Sequence, residues 1–105
     1  MSRLLSVVLL LGLLSANSSA NYFDGNGLKK LIDGGQPSDE AMFRGYVAAI
    51  QDLNNGVSIC VDENVRLSQA AAIVQKYFSE NPQLWHLAAS QLVFNALQRS
   101  FPCKR

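Results

Sequence analysis

The sequence predicts a small all-α domain of four helices stapled by one disulfide, and three observations carry that expectation. Apolar residues after position 37 recur at helical spacing, one short run alone (Val57 to Val61) has the composition of a strand, and the chain holds two cysteines, Cys60 and Cys103. The first twenty residues set the compartment. Arg3 supplies a basic start, Leu4 to Leu14 are apolar apart from Ser6 and Gly12, and Ser18-Ser19-Ala20 offers small residues for a peptidase. This pattern predicts a secretory signal peptide over residues 1–20, cleaved near Ala20. A signal anchor is the competing reading, but the apolar run is well short of the ~20 residues of a bilayer span.

Removing residues 1–20 from the 105 leaves 85, enough for one domain, 21–105. A domain of that size buries only about 60 to 65% of its unfolded surface and gains from a covalent tie. Both cysteines lie in this part and would meet an oxidising environment, so a Cys60–Cys103 bridge is expected, two unpaired thiols being the alternative. The bridge is worth about 4 kcal/mol by chain entropy.

Asn21 to Gly27 is rich in Gly and Asn and reads as a loop, feeding a short helix from Leu28 to Asp33 that Gly34-Gly35 stops. Pro37 and Ser38 open a second helix, with Ser38 expected as N-cap and Asp39 and Glu40 at the positive end of the macrodipole. It runs to about Leu53. Met42, Phe43, Tyr46, Val47, Ile50 and Leu53 form its apolar face, and Asn54-Asn55-Gly56 ends it. Val57 to Val61 has no partner strand and reads as an extended connection that delivers Cys60 to its bridge. A third helix spans Arg66 to about Ser79, with Leu67, Ala70, Ala71, Val74, Tyr77 and Phe78 on one face. Asn81 and Pro82 are expected to open a fourth, continuous to about Ser100 and apolar on two sides. Such a helix sits centrally, or lends its second face to another subunit.

With Arg3 removed, eight basic residues face eight acidic ones, so the mature chain is neutral. No basic stripe is present for nucleic acid, and Lys104-Arg105 is too short to hold a membrane surface once the signal is cut. A protein or a small ligand remains as partner. His86 is the one histidine, and Gln83, Ala89 and Ser90 on its face supply no carboxylate to orient it; a structural or interface histidine is expected rather than a catalytic one. One histidine and two bridged cysteines make no usual zinc set, and no glycine loop cradles a phosphate, so no catalytic residue, metal or cofactor is expected. Asp62-Glu63-Asn64 forms an acidic loop beside Cys60. It suits insertion into a polar cleft of a partner; equally, its charges favour the N-terminus of the following helix and are otherwise solvated. Trp85 and Tyr77 are open to the same two readings, interface anchor or core.

In order, Gly45-Tyr46-Val47, Asp52, Ile59-Cys60-Val61, Val65, Gln69, Val74-Gln75-Lys76-Tyr77-Phe78, Asn81-Pro82, Leu84, His86, Ala89, Leu92-Val93, Ala96-Leu97 and Phe101-Pro102-Cys103 make a pattern that resembles the Rap/Tai family of type VI secretion immunity proteins. The likeness covers about Phe43 to Cys103. It implies a small, exported, helical and often dimeric protein that binds and blocks a peptidoglycan amidase effector in the periplasm without catalysis, Cys60 and Cys103 being the family's structural cysteines. A further family cysteine before the Gly-Tyr pair is absent, with Phe43 in its neighbourhood, which leaves Cys60 to pair with Cys103. Arg66 stands where a capping Thr is usual and is expected to weaken the cap before Gln69, and Ala49 stands where a second Gly is usual. The contact surface expected on this reading is Asp62, Glu63 and Asn64 with Arg66 and Gln69, and dimerisation through a spare face of the second or fourth helix. A small periplasmic acid-stress chaperone, or another envelope binding protein, is the alternative; such chaperones are usually richer in charge than the 16% found here. An enzyme or small-ligand carrier built around His86 is a third class.

Overall fold

The computed structural model describes residues 21–104, so the expected signal peptide lies outside the described residues. Four α-helices, α1 (Gly25–Asp33), α2 (Pro37–Asn54), α3 (Leu67–Glu80) and α4 (Ala89–Ser100), and a 3₁₀ turn at Pro82–Leu84 make an all-α fold with no strand among the described residues. α4 packs on the other three helices. Between them lie Leu28, Phe43, Val47, Ile59, Val74, Phe78, Leu92, Val93 and Leu97, all essentially without solvent contact. Burial of a side chain such as Phe43 or Phe78 stabilises the fold by roughly 1.5–3 kcal/mol.

α1 starts three residues before the predicted position. Asp24 is its N-cap, its Oδ1 accepting the Gly27 N–H at 2.7 Å, so a stretch with the composition of a loop is already helical. α2 also begins earlier than expected: Gln36 is the N-cap and Pro37 the first helical residue, so Ser38 lies inside the helix. Proline's fixed φ suits that first position, where its missing N–H has no intrahelical partner to lose.

The α2 face is narrower than its periodicity suggests. Phe43 and Val47 are buried and Tyr46 and Ile50 half-buried, whereas Met42 and Leu53 are 53% and 78% exposed. Val57 to Val61 is a connection as expected: Gly56 takes φ 82°, which a side chain would disfavour, and Ile59 drops into the core. On α3, Ala70, Ala71, Val74 and Phe78 are buried and Tyr77 half-buried, while Leu67 at its start is 40% exposed.

The fourth helix departs most from expectation. Pro82 opens only a single 3₁₀ turn, the chain then bends through Trp85 to Ala88, and α4 begins at Ala89. The reason is tertiary. The N–H groups of Gly25 and Asn26 reach the carbonyls of Leu87 (2.8 Å) and Trp85 (2.9 Å), and the Ala89 N–H reaches that of Phe23 (3.0 Å). Backbone groups that a continuous helix would use internally are spent on the start of α1. Trp85 is half-buried, its indole N–H donating to the Phe78 carbonyl at 2.9 Å, so the core reading describes it. Lys29 lies 5.4 Å from its ring centroid.

Candidate functional site

The segment joining α2 to α3 brings most of the expected contact residues to one place, and its shape follows from a chain of local bonds. At its start, the Asn54 carbonyl accepts from the N–H groups of Val57, Ser58 and Ile59 at 3.0–3.2 Å, and the Gly56 N–H reaches the Ile59 carbonyl at 2.7 Å. A three-residue turn is closed in this way, with Ile59 as its buried peg. Cys60 follows, bonded to Cys103 with the two Cα atoms 4.9 Å apart. Its N–H also donates to the Phe101 carbonyl at 2.9 Å, so the end of α4 holds this point by a covalent and a hydrogen bond together.

Beyond the bridge, the Asn55 side-chain carbonyl accepts the Val61 N–H at 2.9 Å and ties the outgoing strand of the loop to the turn. Asp62 accepts the Asn64 N–H on Oδ1 (2.9 Å) and the Val65 N–H on its carbonyl (3.0 Å), a turn that Asp and Asn favour. Asp62, Glu63 and Asn64 are exposed at its tip, with Arg66 and Gln69 exposed where α3 begins. Arg66 is the N-cap of α3. A guanidinium cannot accept a hydrogen bond, so its side chain satisfies no orphan N–H; the other half of a capping box is present, Gln69 Oε1 accepting the Arg66 N–H at 2.8 Å. The cap is thus halved rather than lost.

The carboxylates here form no ion pair among the described residues. Among the described residues the ion pairs are Lys29–Asp33, Glu40–Arg44 and Lys76–Glu80, all one helical turn apart and away from this loop. Asp62 and Glu63 are in none of them. His86 is exposed on the turn before α4, while the disulfide closes that helix's far end, about 18 Å away at 1.5 Å per residue. The arrangement therefore does not bring His86 to the acidic loop.

Shallow depressions mark the surface of the described residues. One of about 210 Å³ lies between α1 and α2, edged by Leu31, Gln36 and Gln75; one of about 360 Å³ runs between α3 and α4 past Lys76, Tyr77 and Arg99. A third, about 300 Å³, is lined by Val57, Ser58, Gln98, Pro102 and Cys103, beside the disulfide. Asn55 and Val57 were not among the residues the sequence singled out, although the Asn-Asn-Gly turn signal did mark the place.

Comparison with curated proteins finds no match. A family model described as Rap1a immunity proteins matches residues 24–103. The matched stretch starts at the N-cap of α1 and ends at the second cysteine of the bridge, so it coincides with the folded unit.

Proposed function

Since the chain belongs to the family of Rap1a immunity proteins, we propose that it is a periplasmic immunity protein that binds a peptidoglycan amidase effector delivered by type VI secretion and blocks it by covering its active site. Residues 1–20 are the signal peptide that exports it and residues 21–105 the domain that acts. The match from residue 24 to residue 103 carries this reading, since it spans every helix of the fold. An inhibitor of this kind must be where the enzyme acts, which for a cell-wall amidase is outside the inner membrane. It also gains from stiffness, because a surface ordered before docking loses less entropy on binding.

The contact surface on this reading is the loop Asp62, Glu63 and Asn64 with Arg66 and Gln69. These side chains are exposed on a backbone that the disulfide and five hydrogen bonds fix. The mode of action is occlusion, with no catalytic step. Any second copy docks through a spare face of α2 or of α4, where Phe94 and Phe101 are only partly buried.

The test is protection. Recipient cells exporting this chain should survive contact with donors of the same strain that deliver amidase effectors, and recipients lacking it should lyse. Asp62→Arg should abolish protection, with the thermal midpoint lowered only by the loss of its bond to the Asn64 N–H. Equal lysis with and without the chain would sink the reading, and full protection by Asp62→Arg would remove the loop from the contact surface.

A further inference from the structure

Asn is followed by Gly at two places in the chain, Asn26-Gly27 and Asn55-Gly56. Such a pair is chemically labile. The Gly nitrogen attacks the Asn side-chain carbonyl carbon, Cγ, and closes a five-membered imide, because a residue without Cβ leaves that nitrogen uncrowded and its backbone free to turn. The two pairs have different surroundings, and the difference decides which of them reacts.

Asn26 and Gly27 lie in the first turn of α1. The Asn26 side-chain amide, the group that would leave, donates to the Trp85 carbonyl at 3.1 Å, and the Asn26 backbone N–H reaches the same oxygen at 2.9 Å. The Gly27 N–H is held by Asp24 Oδ1 at 2.7 Å, and Phe23 Cδ1 stands 3.3 Å from where a Cβ on Gly27 would lie. Freeing the attacking nitrogen here means pulling the start of α1 away from the turn before α4.

Asn55 is the C-cap of α2, already outside the helix. Asn55 and Gly56 are exposed, and nothing stands within 4 Å of a Cβ built on Gly56. Two hydrogen bonds restrain the pair: the Gly56 N–H reaches the Ile59 carbonyl at 2.7 Å, and the Asn55 side-chain carbonyl accepts the Val61 N–H at 2.9 Å. Ring closure needs the Asn55 Cβ and the Gly56 N eclipsed about the Cα–C bond, and at ψ 132° they point apart. Both restraints belong to one surface turn, so a local opening that leaves the helices in place releases them together.

We infer that Asn55 is a site of covalent modification in the folded chain. When the turn opens, the Gly56 N bonds to the Asn55 Cγ, ammonia leaves with the side-chain nitrogen and the Gly56 amide proton, and water then opens the imide. Water adding at Cγ gives aspartate; water adding at the backbone carbonyl gives isoaspartate. Either product sets one more carboxylate on the segment that carries Asp62 and Glu63. Isoaspartate also routes the backbone through an extra carbon, in a turn whose hydrogen bonds have fixed reach, so the tie to Val61 is lost. The outcome is a slow, one-way loosening of the acidic loop, and it holds whatever partner that loop meets.

The second Asn-Gly pair is the internal control. The purified chain, its bridge intact, is incubated at mildly alkaline pH with and without urea, and both sites are followed by peptide mass, isoaspartate being resolved by its separate elution. In urea the two should convert at similar rates, and folding should slow position 26 at least about fivefold more than position 55. In the isoaspartate fraction, amide exchange should quicken at residues 60–64 while the helices keep their protection. Equal slowing at the two positions would show that global unfolding alone exposes Asn55 and would overturn the inference, as would slower conversion at 55 than at 26. Unchanged exchange at residues 60–64 in the isoaspartate fraction would overturn the loosening.

Discussion

Two helical glycines occupy opposite surroundings, and the difference sets what a methyl group would do at each. A Cβ on Gly25 would lie 2.6 Å from the Trp85 Cα and 2.7 Å from Leu92 Cδ1 and the Trp85 carbonyl oxygen, because the start of α1 is pressed against the turn before α4. Gly25→Ala should therefore destabilise the domain by about 1–3 kcal/mol, read as a lower midpoint in urea. At Gly45, midway along α2, nothing lies within 4 Å of the added carbon. Gly45→Ala should stabilise by about 0.4–1 kcal/mol in the same titration, by restricting the unfolded chain. Sequence alone separates these two poorly. Gly25 sits in a run that reads as a loop, and Gly45 in a helix where a glycine invites a packing explanation that the open space around it does not supply.

Among the elements, α3 was the most legible and the segment before α4 the least. The α3 pattern places four apolar side chains on one face, and the outside donors Trp85 and Asn81 reach only the Phe78 and Tyr77 carbonyls of its last turn, which have no partner within the helix. Pro82, by contrast, gives a start signal that the chain honours for one turn only, since the carbonyls of Trp85 and Leu87 are taken by residues 25 and 26. A contact between residues some sixty positions apart leaves no mark on local periodicity. The loop between α2 and α3 shows the same limit on a smaller scale. Its acidic tip was visible, but not the Asn55 side chain that holds Val61. Asn55→Ala should lower global stability by about 0.5–1.5 kcal/mol. Amide exchange should quicken at residues 60–64 while the α3 and α4 amides keep their relative protection. Uniform loss of protection across the helices would instead make Asn55 part of the global fold.

For the whole molecule, the core is small and the covalent tie is correspondingly important. Replacing both cysteines, Cys60→Ser with Cys103→Ser, should cost about 4 kcal/mol, the chain-entropy value for a bridge separated by 43 residues. Denaturation with and without the bridge checks this figure, and a loss below about 1 kcal/mol would show that the helices hold the segment unaided. Electrostatics contributes little to set against it, since the three ion pairs among the described residues lie within single helices, with only Lys29 partly covered, and such pairs are worth about 0.3–0.5 kcal/mol each.

By itself, the sequence determined the helical class, the bridge, the stop after α2 and the family likeness, because each is written in residue type and spacing along a continuous stretch. Tertiary structure alone decided that the fourth helix is broken, that Leu53 and Met42 leave the core, and that a rigid valine stands beside the acidic loop. Those features depend on which distant backbone groups and side chains meet. A periodic pattern records the face a helix is able to bury, and only the assembled neighbours fix how much of that face they cover.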